Sequence, residues 1–197
     1  MAVEAKQVQE LRARTGVGMM ECKKALQETS GDMDKAVEYL RTQGIAKAEK
    51  RAGRAATEGK VEAYIHPGNR VGVLIEVNSE TDFVAKTDEF GAFVRNMAMQ
   101  VAATDPIAVR REDIPADVLE REKRLFREEA LTSGKPEKVV DKIVEGKIEK
   151  FYADACLLEQ AYVRDPERKV LDILNEMISR TGENIIIRRF MKFRLGE

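Results

Sequence analysis

The sequence predicts an α+β protein: an N-terminal three-helix domain, then an antiparallel sheet backed by helices, with a helical-hairpin arm. The first 44 residues carry three short helical patterns separated by glycine-containing turns. Two later regions alternate apolar and polar residues, as strands do, and a pair of charged helical patterns lies between them. We expect a helical domain at 1–44, a linker at 45–58, and a core at 59–197 that contains a helical hairpin at 115–155.

The composition narrows the class of protein. Lys and Arg number 34 and Asp and Glu 35, for a net charge of −1, which argues against a direct nucleic-acid partner. Two distant cysteines without a Cys-x-x-Cys spacing fit a reducing compartment. The chain has neither a long apolar run nor the pattern of a signal peptide, so we expect a cytoplasmic protein without membrane contact.

The N-terminal domain is predicted from three helical patterns, near residues 4–14, 20–29 and 32–44. The turn TGVG joins the first two patterns and is followed by Met19 and Met20. Both methionines could belong to the core. Because thioether side chains are flexible and polarizable, they could equally form an adaptable docking surface.

The linker at 45–58 is basic and alanine-rich, which is typical of a solvated connector. The glycine–lysine pair at 59–60 does not form a phosphate-binding loop, because five residues separate it from Gly53 and Val61 follows the lysine. The only histidine, His66, has no cysteine or second histidine near it. We therefore expect no cofactor, no metal site and no bound nucleotide.

A strand-to-helix corner is predicted at residues 78–83. A β-hairpin at 61–77 leads into it, and the strand pattern breaks at Asn78. Thr81 and Asp82 are residue types that favour helix N-caps, and Phe83 follows them. A corner of this kind presents a carboxylate and an aromatic ring outward. The alternative is that Phe83 belongs to the core and Asp82 is only a cap.

The remaining patterns complete the core. A helix carries apolar residues 90–101, the arm occupies 115–155, a short strand is predicted at 162–163, and a helix at 171–181 precedes the last strand at 184–194. That strand should join the hairpin in one antiparallel sheet, and one of its faces is basic: Ile186, Arg188, Phe190, Lys192 and Arg194. In the arm we expect two apolar sets to face each other: Val118, Leu119, Leu125 and Phe126, and Val139, Val140, Ile143 and Val144.

Two long segments carry a family resemblance. Residues 76–86 read EVNSETDFVAK and residues 11–26 read LRARTGVGMMECKKAL. Each resembles a signature of the elongation factor Ts family, bacterial nucleotide-exchange factors for elongation factor Tu, and they occur in the family's order. Similarity continues at residues 133–136, 144–147 and 157–160, so it covers almost the whole chain.

The resemblance implies an activity and its residues. A family member binds the GDP complex of elongation factor Tu, displaces Mg²⁺ and promotes GDP release, so that GTP can bind during translation elongation. The segment that dislodges Mg²⁺ corresponds here to Thr81, Asp82, Phe83 and Val84. The segment that contacts the partner's nucleotide-binding domain corresponds to Val17, Met19 and Met20.

The resemblance also implies an architecture. The three-helix domain resembles a ubiquitin-associated-type module, and the hairpin corresponds to the family's coiled-coil arm. The chain resembles the short form with a single core repeat, so a homodimer through the sheet and a two-plus-two complex with elongation factor Tu are plausible. Another short type has a cysteine in the last strand where this chain has Met191, so a dimer here must rely on noncovalent burial.

Two other functions are alternatives to nucleotide exchange. An RNA-binding or scaffold protein could be built from a small helical domain, a basic linker and a helical arm, but the near-neutral charge counts against RNA. An enzyme has less support, because no Ser/His/Asp or Cys/His arrangement is visible.

Overall fold

A computed structural model of the chain describes residues 3–134 and 136–197 and confirms the α+β class. The α-helices are α1 Ala5–Thr15, α2 Met19–Glu28, α3 Met33–Arg51, α4 Asp82–Ala85, α5 Asp88–Thr104, α6 Ala116–Thr132, α7 Glu137–Ala155 and α8 Val170–Thr181. The strands are β1 Glu58–Ile65, β2 Val71–Ser79, β3 Ala161–Tyr162, β4 Asp165–Lys169 and β5 Ile186–Arg194.

The chain divides into two compact units that do not follow chain order. The first contains the N-terminal residues through Lys60, Val77–Phe93 and Asp172–Ile186. The second contains Val61–Glu76, Val94–Leu171 and Ile187–Glu197. These units do not test the predicted division of the chain at 1–44, 45–58 and 59–197, which stays a prediction.

Helices α1, α2 and α3 pack around a small apolar core in the first unit. Leu11 and Leu26 are fully buried there, together with the thiol of Cys22. Gly16 ends α1 with φ of 69°, and its N–H donates to the carbonyl of Arg12 at 2.7 Å. That left-handed cap is available to glycine at little cost, which explains why the helix stops there.

The predicted end of the third helix at Gly44 is wrong, because α3 continues to Arg51. Residues 45–51 are mostly alanine, lysine and glutamate, which favour helix. The helix is also held against α8: Arg41 donates to Asp172 at 2.7 Å, and Arg51 donates to the carbonyl of Ile178 at 3.1 Å. These tertiary contacts outweigh the cost of one internal glycine.

The antiparallel sheet has the strand order β1-β2-β5 and confirms the predicted hairpin. Strand β2 buries Val73, Ile75 and Val77 on one face, as the alternation predicted. The turn between β1 and β2 contains Gly68 with φ of 92° and Asn69 with φ of 55°. Both residue types tolerate positive φ, so the local sequence suits the turn.

Helix α5 is buried along most of its length, as its apolar spacing predicted: Phe90, Phe93, Val94, Met97, Ala98 and Val101 are in the core. Lys192 of β5 lies beside its C-terminus. The ammonium group donates to the carbonyl of Ala102 at 3.0 Å and lies 2.8 Å from Asp105. A cation stabilises the C-terminal carbonyls of a helix, so this lysine fastens the strand to α5.

Helices α6 and α7 form the predicted hairpin, and its core holds Ala130, Val140, Val144 and Ile148. Two of the residues expected to face the partner helix do not: Leu125 is 47% exposed and Val139 is 41% exposed. The seam of α7 follows every fourth residue from Val140, so Val139 lies one position outside it. Lys135, in the predicted turn of the arm, lies outside the described residues.

The base of the arm is fixed by Arg111. Its guanidinium donates to the carboxylates of Glu149, on α7, and Glu159, and it stacks at 4.3 Å from the ring centroid of Tyr152. Bidentate carboxylate pairing and aromatic stacking both suit the planar guanidinium. One arginine thus ties the arm to the short helical turns beside it.

A second, two-stranded sheet pairs β3 with β4 in antiparallel orientation. The predicted strand at 162–163 is shifted by one residue, and β4, with the sequence DPERK, was not predicted. Its charged residues lack the apolar alternation that marks a strand. Beside it, the fully buried Gln100 donates to the carbonyl of Ala161 at 3.0 Å and accepts from the N–H of Val163 at 2.8 Å.

Both cysteines are buried and unpaired. Burial raises the pKa of the Cys22 thiol, and it raises the pKa of Cys156 to about 11. Because the thiolate is the reactive form, neither side chain is a nucleophile at neutral pH.

Replacing Gly59 by alanine should destabilise the protein. Gly59 has φ of 140°, and a Cβ there would lie 2.2 Å from the carbonyl oxygen of Val77 and 2.7 Å from the Cα of Asn78. Backbone atoms cannot move aside cheaply, so we expect Gly59→Ala to lower the free energy of unfolding by about 1–3 kcal/mol. Gly53→Ala is the matched control, because nothing lies within 4 Å of a Cβ there. Equal urea midpoints for the two variants would contradict the prediction.

Asp105 should make stability depend on pH in the acidic range. Lys192, burial and Arg194 act on this carboxylate, and the hydrogen bond from Lys192 dominates and lowers its pKa. Its contribution to stability is therefore present above its unfolded pKa of about 4 and is lost as the pH falls through the lower folded value. Asp105→Asn should cost stability at pH 7 and little at pH 2, measured by urea unfolding at both values.

Asparagine is the suitable replacement because Asp105 has φ of 58°, which asparagine also tolerates. The exposed Asp154 provides a control, and Asp154→Asn should not show the same pH dependence. A stability loss for Asp105→Asn that is as large at pH 2 as at pH 7 would show that the carboxylate charge is not responsible.

Candidate functional site

The corner at residues 78–83 lies in the first unit, where β2 ends at Ser79 and α4 begins at Asp82. Thr81 is the N-cap of α4: its hydroxyl oxygen accepts from the N–H of Val84 at 3.4 Å. The hydroxyl of Ser79, which is fully buried, donates to the carbonyl of Thr81 at 2.9 Å. Local hydrogen bonds from side chains thus shape the turn from strand to helix.

Phe83 projects into solvent from α4, with 81% of the residue exposed. The alternative that it belongs to the core is therefore wrong. None of the four residues of α4 is buried. An exposed ring on a fixed base gains no stability within its own chain, which is typical of a residue that packs against a partner.

Asp82 is the first residue of α4, not its cap, and its side chain is 46% exposed. The ammonium group of Lys86 donates to its carboxylate at 2.6 Å. This hydrogen bond lowers the pKa of Asp82 below its usual value, so the carboxylate is ionised at neutral pH. Lys86 was present in the sequence motif, but no role had been predicted for it.

A second carboxylate, Glu183, lies under the corner from the loop after α8. Its Oε2 atom accepts from the backbone N–H groups of Glu80 and Thr81, each at 3.1 Å, and its Oε1 atom accepts from the Thr81 hydroxyl at 2.5 Å. In return, the carboxylate of Glu80 accepts from the N–H of Asn184 at 2.6 Å. Sequence reasoning missed this pairing, because Thr81 and Glu183 are 102 positions apart in the chain.

The predicted docking residues differ in accessibility. Met19 is 42% exposed and Met20 is 76% exposed, at the start of α2. Val17 is only 4% exposed and packs in the three-helix core, where its carbonyl accepts from the thiol of Cys22 at 3.4 Å. The two methionines therefore offer an accessible surface, whereas Val17 is buried in the core.

Arg180 of α8 connects the turn before α2 to the start of α5. Its Nε atom donates to the carbonyl of Thr15 at 3.0 Å, and its Nη1 atom donates to Glu89 at 3.0 Å. Glu176 binds the remaining amino group. The turn before Met19 and the helix after Phe83 are thus joined through one guanidinium within the same compact unit.

Residues 3–134 and 136–197 contain no group of three or more His, Cys, Asp and Glu side chains that could hold a metal ion. None of the helices formed by these residues is both long and apolar enough to cross a membrane.

The chain is similar to known proteins along nearly its whole length. The family model described as Elongation factor TS matches residues 3–197. A protein named Elongation factor Ts from Thermoanaerobacter sp. (strain X514) is 60% identical over 195 residues, which cover 99% of this chain and 96% of that protein. Its namesake from Geobacter sp. (strain M21) is 58% identical over 197 residues, 100% of this chain and 91% of the relative.

The family match extends over nearly all of the chain, and these relatives are far above the similarity that chance or a shared fold alone would produce. The corner with its exposed Phe83 and the methionine surface lie within the matched residues. The chain therefore belongs to the elongation factor Ts family, and it is a nucleotide-exchange factor for elongation factor Tu in translation elongation rather than an enzyme.

Proposed function

We propose that this chain releases GDP from elongation factor Tu by inserting the ring of Phe83 near the partner's Mg²⁺ and nucleotide. The observation that supports this role is the 81% exposure of Phe83 on a corner held by hydrogen bonds. If the ring's pocket opens only when the partner releases Mg²⁺, burial of the ring favours the open state. The factor acts in this way in the cytoplasm, where GTP then binds.

Thermodynamic reciprocity determines how much differential binding free energy the contact with elongation factor Tu must supply. An exchange factor that weakens nucleotide binding must bind the nucleotide-free partner more tightly than the nucleotide-bound partner. The two affinities change by the same ratio. Accelerating release ten-thousandfold would require ~5.5 kcal/mol of differential interaction. Burying one phenylalanine contributes roughly 1.5–3 kcal/mol, so Phe83 supplies part of this and other contacts supply the rest.

Three neighbours of Phe83 contribute to the release of Mg²⁺ and GDP in different ways: Asp82, Thr81 and Val84. Asp82 brings an ionised carboxylate next to the ring, where it can perturb the groups that hold Mg²⁺. Its bond to Lys86 moderates that charge and directs the carboxylate. The hydroxyl of Thr81 is bonded within the chain, so Thr81 shapes the corner, and the N–H of half-buried Val84 donates to that hydroxyl.

The exposed side chains of Met19 and Met20 form the methionine surface, which docks onto the partner's nucleotide-binding domain. Exposed Met19 and Met20 can adapt their thioether side chains to an apolar surface, and buried Val17 keeps the turn beneath them in place. Docking there contributes affinity for the partner. Arg180 holds the turn before Met19 at a fixed distance from the start of α5. On this basis residues 1–44 act as the docking domain.

The second unit carries a surface suited to a homodimer. Large apolar side chains are exposed on the sheet strands that belong to it: Val61, Ile65, Leu74, Met191 and Phe193. Ile65, Leu74 and Phe193 also line a groove of about 650 Å³. An exposed apolar patch of this kind marks an interaction site, and a second copy of the chain would bury it without a disulfide at Met191. Two copies would carry two partners.

Replacing Phe83 by alanine should slow nucleotide exchange without unfolding the factor. Because the ring is exposed, its removal costs the fold little, whereas loss of its burial in the complex should reduce stimulated release roughly 10- to 150-fold. The measurement is stopped-flow release of fluorescent GDP from purified elongation factor Tu. Ile107→Ala, at a residue that is 53% exposed, should leave the rate unchanged. Normal release with Phe83→Ala would reject the ring as the wedge.

A charge on the sheet surface should dissociate the proposed dimer. Phe193 is 63% exposed, so Phe193→Glu is compatible with the folded chain but would bury a carboxylate in the dimer interface. Light scattering after size exclusion should show a dimer for the unmodified protein and a monomer for Phe193→Glu. Leu131→Glu, at a residue of the arm that is 50% exposed, should remain dimeric. An unmodified protein that is monomeric at all concentrations tested would rule the dimer out.

A further inference from the structure

We propose that Glu183 is a positioning residue for nucleotide exchange and sets the direction in which the side chain of Phe83 projects from the corner. Glu183 does not itself have to touch the partner. It acts through Thr81, which caps the helix that carries the ring. The inference rests on the proposed role of Phe83 as the wedge.

The first observation is the convergence of donors on Glu183. Two consecutive backbone N–H groups, of Glu80 and Thr81, donate to one carboxylate oxygen, and the Thr81 hydroxyl donates to the other. Hydrogen bonds to an ionised carboxylate are shorter and stronger than those between neutral groups. Three of them on successive groups determine the path of the chain at the point where strand becomes helix.

The second observation connects this carboxylate to the ring. A hydroxyl can donate one hydrogen bond, and the Thr81 hydroxyl donates it to the carboxylate of Glu183. Its lone pairs therefore remain to accept the N–H of Val84, the residue that follows Phe83. The bond to Glu183 thus fixes the cap geometry of α4, and with it the direction of the Cα–Cβ bond of Phe83.

The third observation is that α4 is oriented from its two ends. Thr81 and Glu183 hold its start, and at its end the hydroxyl of Thr87 donates to the carbonyl of Val84 at 2.8 Å. The helix has four residues, and none of them is buried. One turn of helix is not stable by itself, because nucleation fixes several dihedral angles for a single hydrogen bond. Its orientation must therefore come from the residues around it.

The loop that carries Glu183 is held in turn by the corner. The carboxylate of Glu80 accepts the N–H of Asn184 at 2.6 Å, and the Asn184 side chain donates to the carbonyl of Arg54 at 2.8 Å. Each loop thus provides a carboxylate for the other's backbone. This reciprocal arrangement is specific, because a shift of one loop would leave polar groups on both without partners.

The test is stopped-flow release of fluorescent GDP at increasing factor concentration. Glu183→Ala should lower the maximum stimulated rate about ten-fold, in line with the loss of bonds to a charged acceptor. Glu183→Gln should lower it less, because an amide oxygen can still accept the two N–H groups. Glu167→Gln, an exposed carboxylate on β4, is the matched control and should not change the rate.

A double-mutant cycle with Phe83→Ala separates positioning from general destabilisation. If Glu183 acts by aiming the ring, Glu183→Ala should have no further effect once the ring is absent. A general loss of structure would instead slow release by the same factor in both backgrounds, and that result would overturn the inference. A thermal unfolding curve of each variant gives the folded fraction at the assay temperature, so that only folded protein is compared.

Substitutions at Thr81 provide an independent check. Thr81→Ser keeps the hydroxyl and should lower the rate less than Thr81→Val, which keeps the shape, removes the hydroxyl and should resemble Glu183→Ala. Normal release by Glu183→Ala, together with slow release by Phe83→Ala, would overturn the positioning role and leave the wedge intact. Normal release by Phe83→Ala would overturn the proposed function and this inference with it.

Discussion

The corner depends on carboxylates that accept backbone N–H groups from a neighbouring loop. A strand that turns directly into a helix leaves amides without secondary-structure partners, and unpaired amides are costly when they are shielded from water. Glu183 accepts two such amides and a hydroxyl, and Glu80 accepts one in the other direction. These bonds stand in for the packing that α4 lacks, and they allow an aromatic ring to remain outside the core.

A fixed ring is more useful to an exchange factor than a mobile one. Ordering a side chain or a loop at the moment of binding costs free energy that would otherwise displace the nucleotide. In this chain the order exists before the partner arrives, because Ser79, Thr81 and Glu183 shape the corner within the first unit. In the proposed mechanism, the free energy from burying Phe83 is then available for distorting the partner. The same compact unit carries the exposed side chains of Met19 and Met20.

The parts of this structure that follow a simple period could be predicted from sequence. Val73, Ile75 and Val77 alternate because one face of β2 is buried, and the apolar spacing of α5 reflects its place in the core. Such patterns arise from neighbours a few residues apart, so the sequence shows them directly. The exposed ring of Phe83 follows from no such period, and the family resemblance of residues 76–86 favoured it over a place in the core.

The errors come from contacts between distant segments. Gly44 does not end α3, because α8 packs against that helix. Strand β4 has no apolar alternation, and its place is set by pairing with β3. Glu183 looks like any surface glutamate in sequence, and only the fold brings it to Thr81. Each case depends on a partner that local periodicity does not identify.

The burial of Cys22 and Cys156 has a practical consequence for spectroscopy. Neither thiol is accessible or ionised at neutral pH, so maleimide dyes should react slowly with the folded chain. One cysteine introduced at a surface position would then be the main labelling site, without prior removal of the native pair. A fluorophore could be attached to the arm or to the sheet, and approach to elongation factor Tu could be followed in real time by energy transfer.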